Sequence, residues 1–320
     1  IGACSSVIYL LFSLFLGLSA GIGIVISQYF GGRRKEDMSK AVHSSIALTA
    51  LLSVVFTVAG MLFTKPLLRA IGVPEEVLPH SSLYLTIYFA GMTFSLFYNM
   101  GSGILRAVGD SRHPLIYLAV ASLVNIALDF LFVCGFHMGI AGVAIATIIA
   151  QAVSSAMVMY KLMHTQEDYK LELRKIHFHK KMVKKIIAFG FPAALQQSIT
   201  SFSNVIVQSY INRFGATAMA GYSAAIRIDG FLQLPLQSFN MAITTFVGQN
   251  IGAKQYRRVK KGIWAAWVMS SLVILVGSVG MYFFAPYLIG VFTDDVQVIA
   301  NGSGMLRIFS YAYIVLPVVQ

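Results

Sequence analysis

Residues 115–136 form an unbroken apolar run whose single charged side chain is Asp129. A helix needs about 20 apolar residues to cross roughly 30 Å of hydrocarbon. In lipid every backbone N–H and C=O must be satisfied within the protein, which leaves only helices and closed barrels as spanning structures. Eight further apolar stretches accompany this one: 5–30, 41–63, 83–105, 140–162, 186–211, 220–247, 263–284 and from 305 onward. None shows the strict in-out alternation of a barrel strand. The expected fold class is therefore all-α, a polytopic membrane protein with nine spans. The composition agrees, with 57% apolar and 11% charged residues and a mean hydropathy of +0.75.

The net charge of +12 would suggest a nucleic-acid partner in a soluble chain, but its placement argues otherwise. Of 24 Lys and Arg residues, 19 fall in the connections after spans one, three, five and seven, and only Lys65, Arg69 and Arg213 fall in the opposite connections. That asymmetry is the positive-inside signal. It places the rich loops in the cytoplasm, predicts the inner (plasma) membrane as the location, and leaves no ground for nucleic-acid binding. The longest polar segment, 164–185, reads as a cytoplasmic linker carrying an amphipathic helix, with His164, His177 and His179 on a solvated basic face. Cys4 and Cys134 lie in apolar runs and imply no disulfide framework. No phosphate-binding Gly-rich loop ending in Lys and Ser or Thr, no HExxH and no CxxC occurs, so neither ATP hydrolysis nor enzymatic chemistry is expected.

An internal repeat organises the chain. SQYFGGRRKEDMSKA from Ser27 aligns with GQNIGAKQYRRVKKG from Gly248 at an offset of 221, bringing Gln28 onto Gln249 and Gly31 onto Gly252. With one gap Pro66 falls on Pro286. The offset carries span one onto span seven, and a shift of six spans preserves orientation, so the repeat is parallel with its axis along the membrane normal. The expected organisation is an N-terminal lobe 1–163, the linker 164–185 and a C-terminal lobe 186–320. The same pairing predicts one span before Ile1 and two after Gln320, twelve in all. Two such lobes place a cavity near the midplane, which is transporter architecture.

Asp129 is then the first candidate for function. A carboxylate at mid-span costs about 2.5–3.5 kcal/mol on insertion scales, so it faces the protein interior and usually acts there. Asn125 lies four residues earlier on the same helical face, and Thr147 lies in the next span. Carboxylate, amide and hydroxyl oxygens suit Na+ as a hard ligand set, while a desolvated carboxylate can equally hold a proton. The alternative reading is a neutral acid bonded to a neighbouring helix. Two polar stripes follow in otherwise apolar spans: Gln197, Ser201, Asn204 and Gln208, then Gln233, Gln237, Asn240 and Thr244. They suit either a water-filled substrate cavity or interhelical hydrogen bonds. Asp229 shares the second of these spans with Arg227. Pro192 and Pro235 remove a helical hydrogen bond each and can kink their spans.

These segments, with GILRAVGDSRHP, LVNIALDFLF, GIAGVAIATIIAQ, FGFPAALQQSIT and GYSAAIRIDGFLQLP, resemble the multidrug and toxic compound extrusion (MATE) family of bacterial or archaeal type. The resemblance implies twelve helices in two lobes and outward antiport of amphipathic, cationic organic compounds against Na+ or H+, with no other cofactor. It implies that Asp129, Asn125 and Thr147 form the cation or proton site, a Na+ site if coupling is to sodium. It also implies small-molecule substrates, a bilayer partner and a monomer. Within the broader superfamily, a lipid-linked oligosaccharide flippase is the rival reading.

Overall fold

The computed structural model describes residues 2–70 and 75–313, with side chains described from Phe15 onward except at Ala70, Val205, Asn212 and Ala216. Ten α-helices follow one another among these residues: α1 Gly2–Gly31, α2 Lys35–Ala70, α3 Leu78–Ala90, α4 Met92–Ala107, α5 Arg112–Phe130, α6 Gly139–His164, α7 Lys180–Ile211, α8 Ala216–Gly252, α9 Tyr256–Gly290 and α10 Val296–Tyr313. A π-helical turn, Leu131–Gly135, extends α5. No strand occurs among the described residues. Each expected span corresponds to a helix except the third, which breaks at Gly91 into α3 and α4. A Cβ at Gly91 would lie 2.3 Å from the Ile148 side chain, so α6 presses against the break. Among the described residues four helical segments are long and apolar enough, by length and composition alone, to cross a membrane: Lys35–Arg69, Arg112–Gly135, Gly139–His164 and Tyr256–Gly290. The continuation of the ninth span past Tyr313, and the side chain of Cys4, lie outside the described residues.

The chain divides into two compact units, Ile1–Ser201 and Phe202–Gln320. In the first, Phe15, Ile22, Ile26, Leu85, Phe89, Leu96, Met100 and Ile104 form a buried core. Lipid tails are as apolar as leucine, so helices in a membrane gain by close packing rather than by hiding from water, and small residues let them approach. Here α1 meets the first half of α7 in that way: a Cβ at Gly21 would lie 2.6 Å from Gly190 Cα, and one at Gly17 would overlap Ala194. The division at Ser201 thus falls inside α7. Outward faces carry exposed leucines and valines, among them Leu62 and Leu123, as a lipid-facing surface requires.

The expected amphipathic helix of the linker is not a separate element. Residues 165–179 run irregularly with one 3-10 turn, Leu173–Lys175, and helix resumes only at Lys180 as the start of α7. Tertiary contacts override the local pattern. Tyr169 and Leu171 insert into the first unit's core, and Leu171 N donates to Leu162 O at 2.8 Å. The buried His43 accepts the Glu172 N–H at Nε2, 3.1 Å away, and meets Ser39 O through Nδ1 at 2.6 Å. Because an amide can only donate and a carbonyl can only accept, these partners fix His43 as the neutral Nδ1–H tautomer. Ser44 ties down the backbone of His177 and His179. His164 and His177 are exposed as expected, whereas His179 is half-buried against Ser44. Lys175, hydrogen-bonded at 2.8 Å, holds the Glu172 carboxyl below the usual carboxylate range.

In the second unit α8, α9 and α10 pack on one another around Ala225, Ile228, Leu236, Ile274, Met281, Ile289 and Leu306. Gly221 and Gly302 bring α8 and α10 into near backbone contact. The repeat recurs here atom by atom. At the α1–α2 corner Gly32, Arg33 and Arg34 N–H groups bond to Gln28, Phe30 and Tyr29 carbonyls. At the α8–α9 corner Ala253, Lys254 and Gln255 bond to Gln249, Ile251 and Asn250, each 221 residues on. Arg33 and Lys254 share the left-handed conformation that closes the turn, with φ of 51° and 58°. Pro66 and Pro286 both lie within the helix that follows.

Candidate functional site

Asp129 occupies the last turn of α5, immediately before the π turn. The chain then reverses through His137 and Gly139, both at positive φ, so α6 runs back against α5. Gly142 sits in the crook, where a Cβ would stand 3.0 Å from Phe132 Cβ. Asn125 and Asp129 lie one turn apart on α5, and the helix packed against it, α6, carries polar positions of its own.

Those positions are Thr147 and, one turn further, Gln151. Asp129 Oδ1, Asn125 Nδ2 and Gln151 Oε1 are all buried and have no hydrogen-bond partner. Flanking residues of α5 turn outward, with Ile126 54% and Phe130 68% exposed. The carboxylate oxygen is therefore inward, and Asn125 does not satisfy it. Thr147 Oγ1 donates to Val143 O at 2.9 Å within its own helix, which leaves its lone pairs as acceptors. An orphaned buried polar atom costs about 1–3 kcal/mol, and such atoms are rare in folded proteins. Thr49, Thr57, Ser102 and Ser278 carry such atoms too, but among the described residues Asp129 Oδ1 alone of these belongs to an ionisable group, so it is the one that a cation or a proton could satisfy. Among the described residues no group of three His, Cys, Asp or Glu side chains is assembled, so any cation held here would rest on mixed oxygen ligands. Gln151 was missed in the sequence reading. Its signal was its spacing, four residues after Thr147.

The second unit carries a different acid. Asp229 on α8 accepts a hydrogen bond from Gln233 Nε2 at 2.7 Å and another from the Tyr313 hydroxyl on α10. Arg227 does not pair with it; its guanidinium lies 5.9 Å from the centre of the Phe292 ring. Of the first stripe, Gln197 and Asn204 are exposed, Ser201 bonds to Gln197 O at 2.9 Å, and Gln208 is half-buried. Of the second, Gln237 and Thr244 are exposed, Gln233 serves Asp229, and Asn240 is half-buried. Pro192 and Pro235 lie within continuous helices.

A family model, MatE, matches residues 1–131 and 192–320, well over half of the chain. The chain belongs to the MATE family. MATE proteins are membrane transporters rather than enzymes, and this chain is accordingly a multi-pass transporter of the inner membrane. Probable multidrug resistance protein YpnP of Bacillus subtilis (strain 168) is 30% identical over 310 residues, a match covering 97% of this MATE chain and 69% of the relative. Probable multidrug resistance protein YoeA of the same organism is 29% identical over 317 residues, covering 96% and 68%. A solved outward-facing multidrug resistance MATE transporter of the MOP superfamily superposes with a TM-score of 0.90 at 26% identity, over 99% of this chain and 71% of that one.

Proposed function

We propose that this MATE chain is a secondary antiporter that exports amphipathic, cationic organic compounds in exchange for Na+ or H+ by alternating access, with Asp129, Asn125 and Thr147 as the coupling site. The observation that carries the reading is the inward, unsatisfied Oδ1 of Asp129. A cation or proton bound at Asp129 Oδ1 would satisfy that acceptor and offset its desolvation cost, and its departure would restore the cost. That is a differential free energy between two states, which is what coupling to a conformational change requires. The lobes 1–163 and 186–320, joined by the linker 164–185, are the bodies that would move, and the protein acts as a monomer. Gln197, Ser201, Asn204, Gln208, Gln233, Gln237, Asn240 and Asp229 offer substrates adaptable hydrogen bonds and one negative charge.

The flippase alternative calls for free intramembrane cations to bind a pyrophosphate headgroup. Arg227 and Arg307 instead lie over the rings of Phe292 and Tyr282. The test is efflux of a fluorescent cationic dye from proteoliposomes of the full-length transporter, under a Na+ gradient and separately under a pH gradient. One gradient should drive efflux, and Asp129→Asn should abolish it with normal membrane insertion. Undiminished gradient-driven efflux by that variant refutes the assignment.

A further inference from the structure

The two corners of the repeat share a backbone and differ in charge. At the α1–α2 corner two of the four basic residues are paired with acids, Lys40 with Glu36 at 3.4 Å and Lys35 with Asp168 at 3.1 Å, and Asp37 lies beside them in sequence. At the offset of 221, Glu36 and Asp37 become Arg257 and Arg258. The α8–α9 corner therefore gathers Lys254, Arg257, Arg258, Lys260 and Lys261, and among the described residues no carboxylate pairs with any of them. Four of these five, with Gln255 and Tyr256, line an open cavity of about 640 Å³. Arg258 is held in place by neutral groups, 3.5 Å from Gln255 Oε1 and 5.8 Å from the centre of the Phe246 ring.

The cavity also lies at a membrane boundary. Trp264 follows Lys261 by one turn and Trp267 follows Trp264 by another, with 68% and 43% of their surfaces exposed. The helix that carries them, Tyr256–Gly290, is long and apolar enough to cross a membrane. Tryptophan settles at the headgroup level, so the basic cavity opens where phosphates of the cytoplasmic leaflet lie. That leaflet is the negatively charged one, and basic pockets at its surface take anionic headgroups.

We propose that the α8–α9 corner is a binding site for the phosphate headgroup of an anionic phospholipid, a function that the α1–α2 corner, where three acids offset most of the basic charge, does not share. Arg257 and Arg258 supply the planar donors that match phosphate oxygens, Lys254 and Lys261 add charge, and the tryptophans pack against the acyl chains.

Both tryptophans of residues 1–320 sit beside the cavity, so with any tryptophan elsewhere in the full-length protein replaced by phenylalanine their fluorescence reports on it. Full-length transporter is reconstituted with acyl-brominated phosphatidylglycerol or phosphatidylcholine in graded amounts and the quenching compared. The expected preference for phosphatidylglycerol is about fivefold, the equivalent of about 1 kcal/mol for one effective basic contact. Arg257→Glu with Arg258→Asp, the residues the first corner carries in the same backbone, should bring it to about one, as should the milder Arg257→Gln with Arg258→Gln. An unchanged preference in both folded variants, or none in the parent protein, overturns the site. Loss of the preference on adding millimolar inorganic phosphate at constant ionic strength overturns the lipid as its occupant.

Discussion

Replacing Asp129 by leucine separates a coupling role from a structural one, because the two make opposite predictions for stability. The Oδ1 atom is buried without a partner. If that oxygen serves the fold of the ion-free protein, it does so at a loss, since an unsatisfied buried acceptor costs about 1–3 kcal/mol. Leucine has a similar volume and no polar atom, so Asp129→Leu should stabilise the ion-free transporter by about that amount. At roughly 2 °C per kcal/mol for a chain of this size, the apparent melting temperature in detergent should rise by about 2–6 °C. A ligand present at 100 times its dissociation constant adds about 2.7 kcal/mol to the parent protein and nothing to the variant. The assay is thermal denaturation followed by size-exclusion chromatography, in choline chloride and in NaCl, at neutral and acidic pH. A fall of several degrees in the ion-free variant would refute the reasoning, because it would mean that Asp129 holds the helices together.

Gly21→Val should prevent folding, because its side chain would meet backbone atoms of Gly190 and Ile186 rather than yielding side chains. Gly23→Ala, with its nearest neighbour 3.9 Å away, should be tolerated, and the yield of monodisperse protein compares the two. A double-mutant cycle of Tyr313→Phe and Asp229→Leu should give a coupling energy of about 1.5–3 kcal/mol for the hydroxyl-to-carboxylate bond; a value below about 0.3 kcal/mol means the contact does not exist in solution. His43→Phe removes the acceptor of the Glu172 N–H and should speed tryptic cleavage at Arg174 and Lys175 several-fold at neutral pH. Glu172→Gln loses only an exposed ion pair and should leave the rate near that of the parent. The depressed Glu172 carboxyl keeps its small contribution above the ordinary carboxylate range and loses it only as pH falls below that range, so the protection of the linker amides relative to Glu172→Gln should stay unchanged through the mildly acidic range.

The helical class was legible in the apolar runs because lipid allows so few backbone solutions. The duplication was legible too, since a corner built on a left-handed residue and a Gly helix end leaves the same letters in both copies. Gly91 was not, because one glycine in an apolar run signals a break only when a neighbour such as Ile148 presses on it. The linker misled for a related reason. Its local pattern suited a helix, but the anchors that decide its path, His43 and Ser44, lie well over a hundred residues away in sequence. Asp129 and Asn125 announced themselves as polar letters in an apolar run, whereas Gln151 needed the orphaned oxygen to single it out.

The wide turn at Leu131–Gly135 gives the end of α5 one residue of slack. A single-residue insertion or deletion beyond Asp129 can be taken up there, by widening or tightening one loop of the helix, without rotating anything upstream. Relatives can therefore differ in the length of this hairpin while the acid keeps its compass bearing.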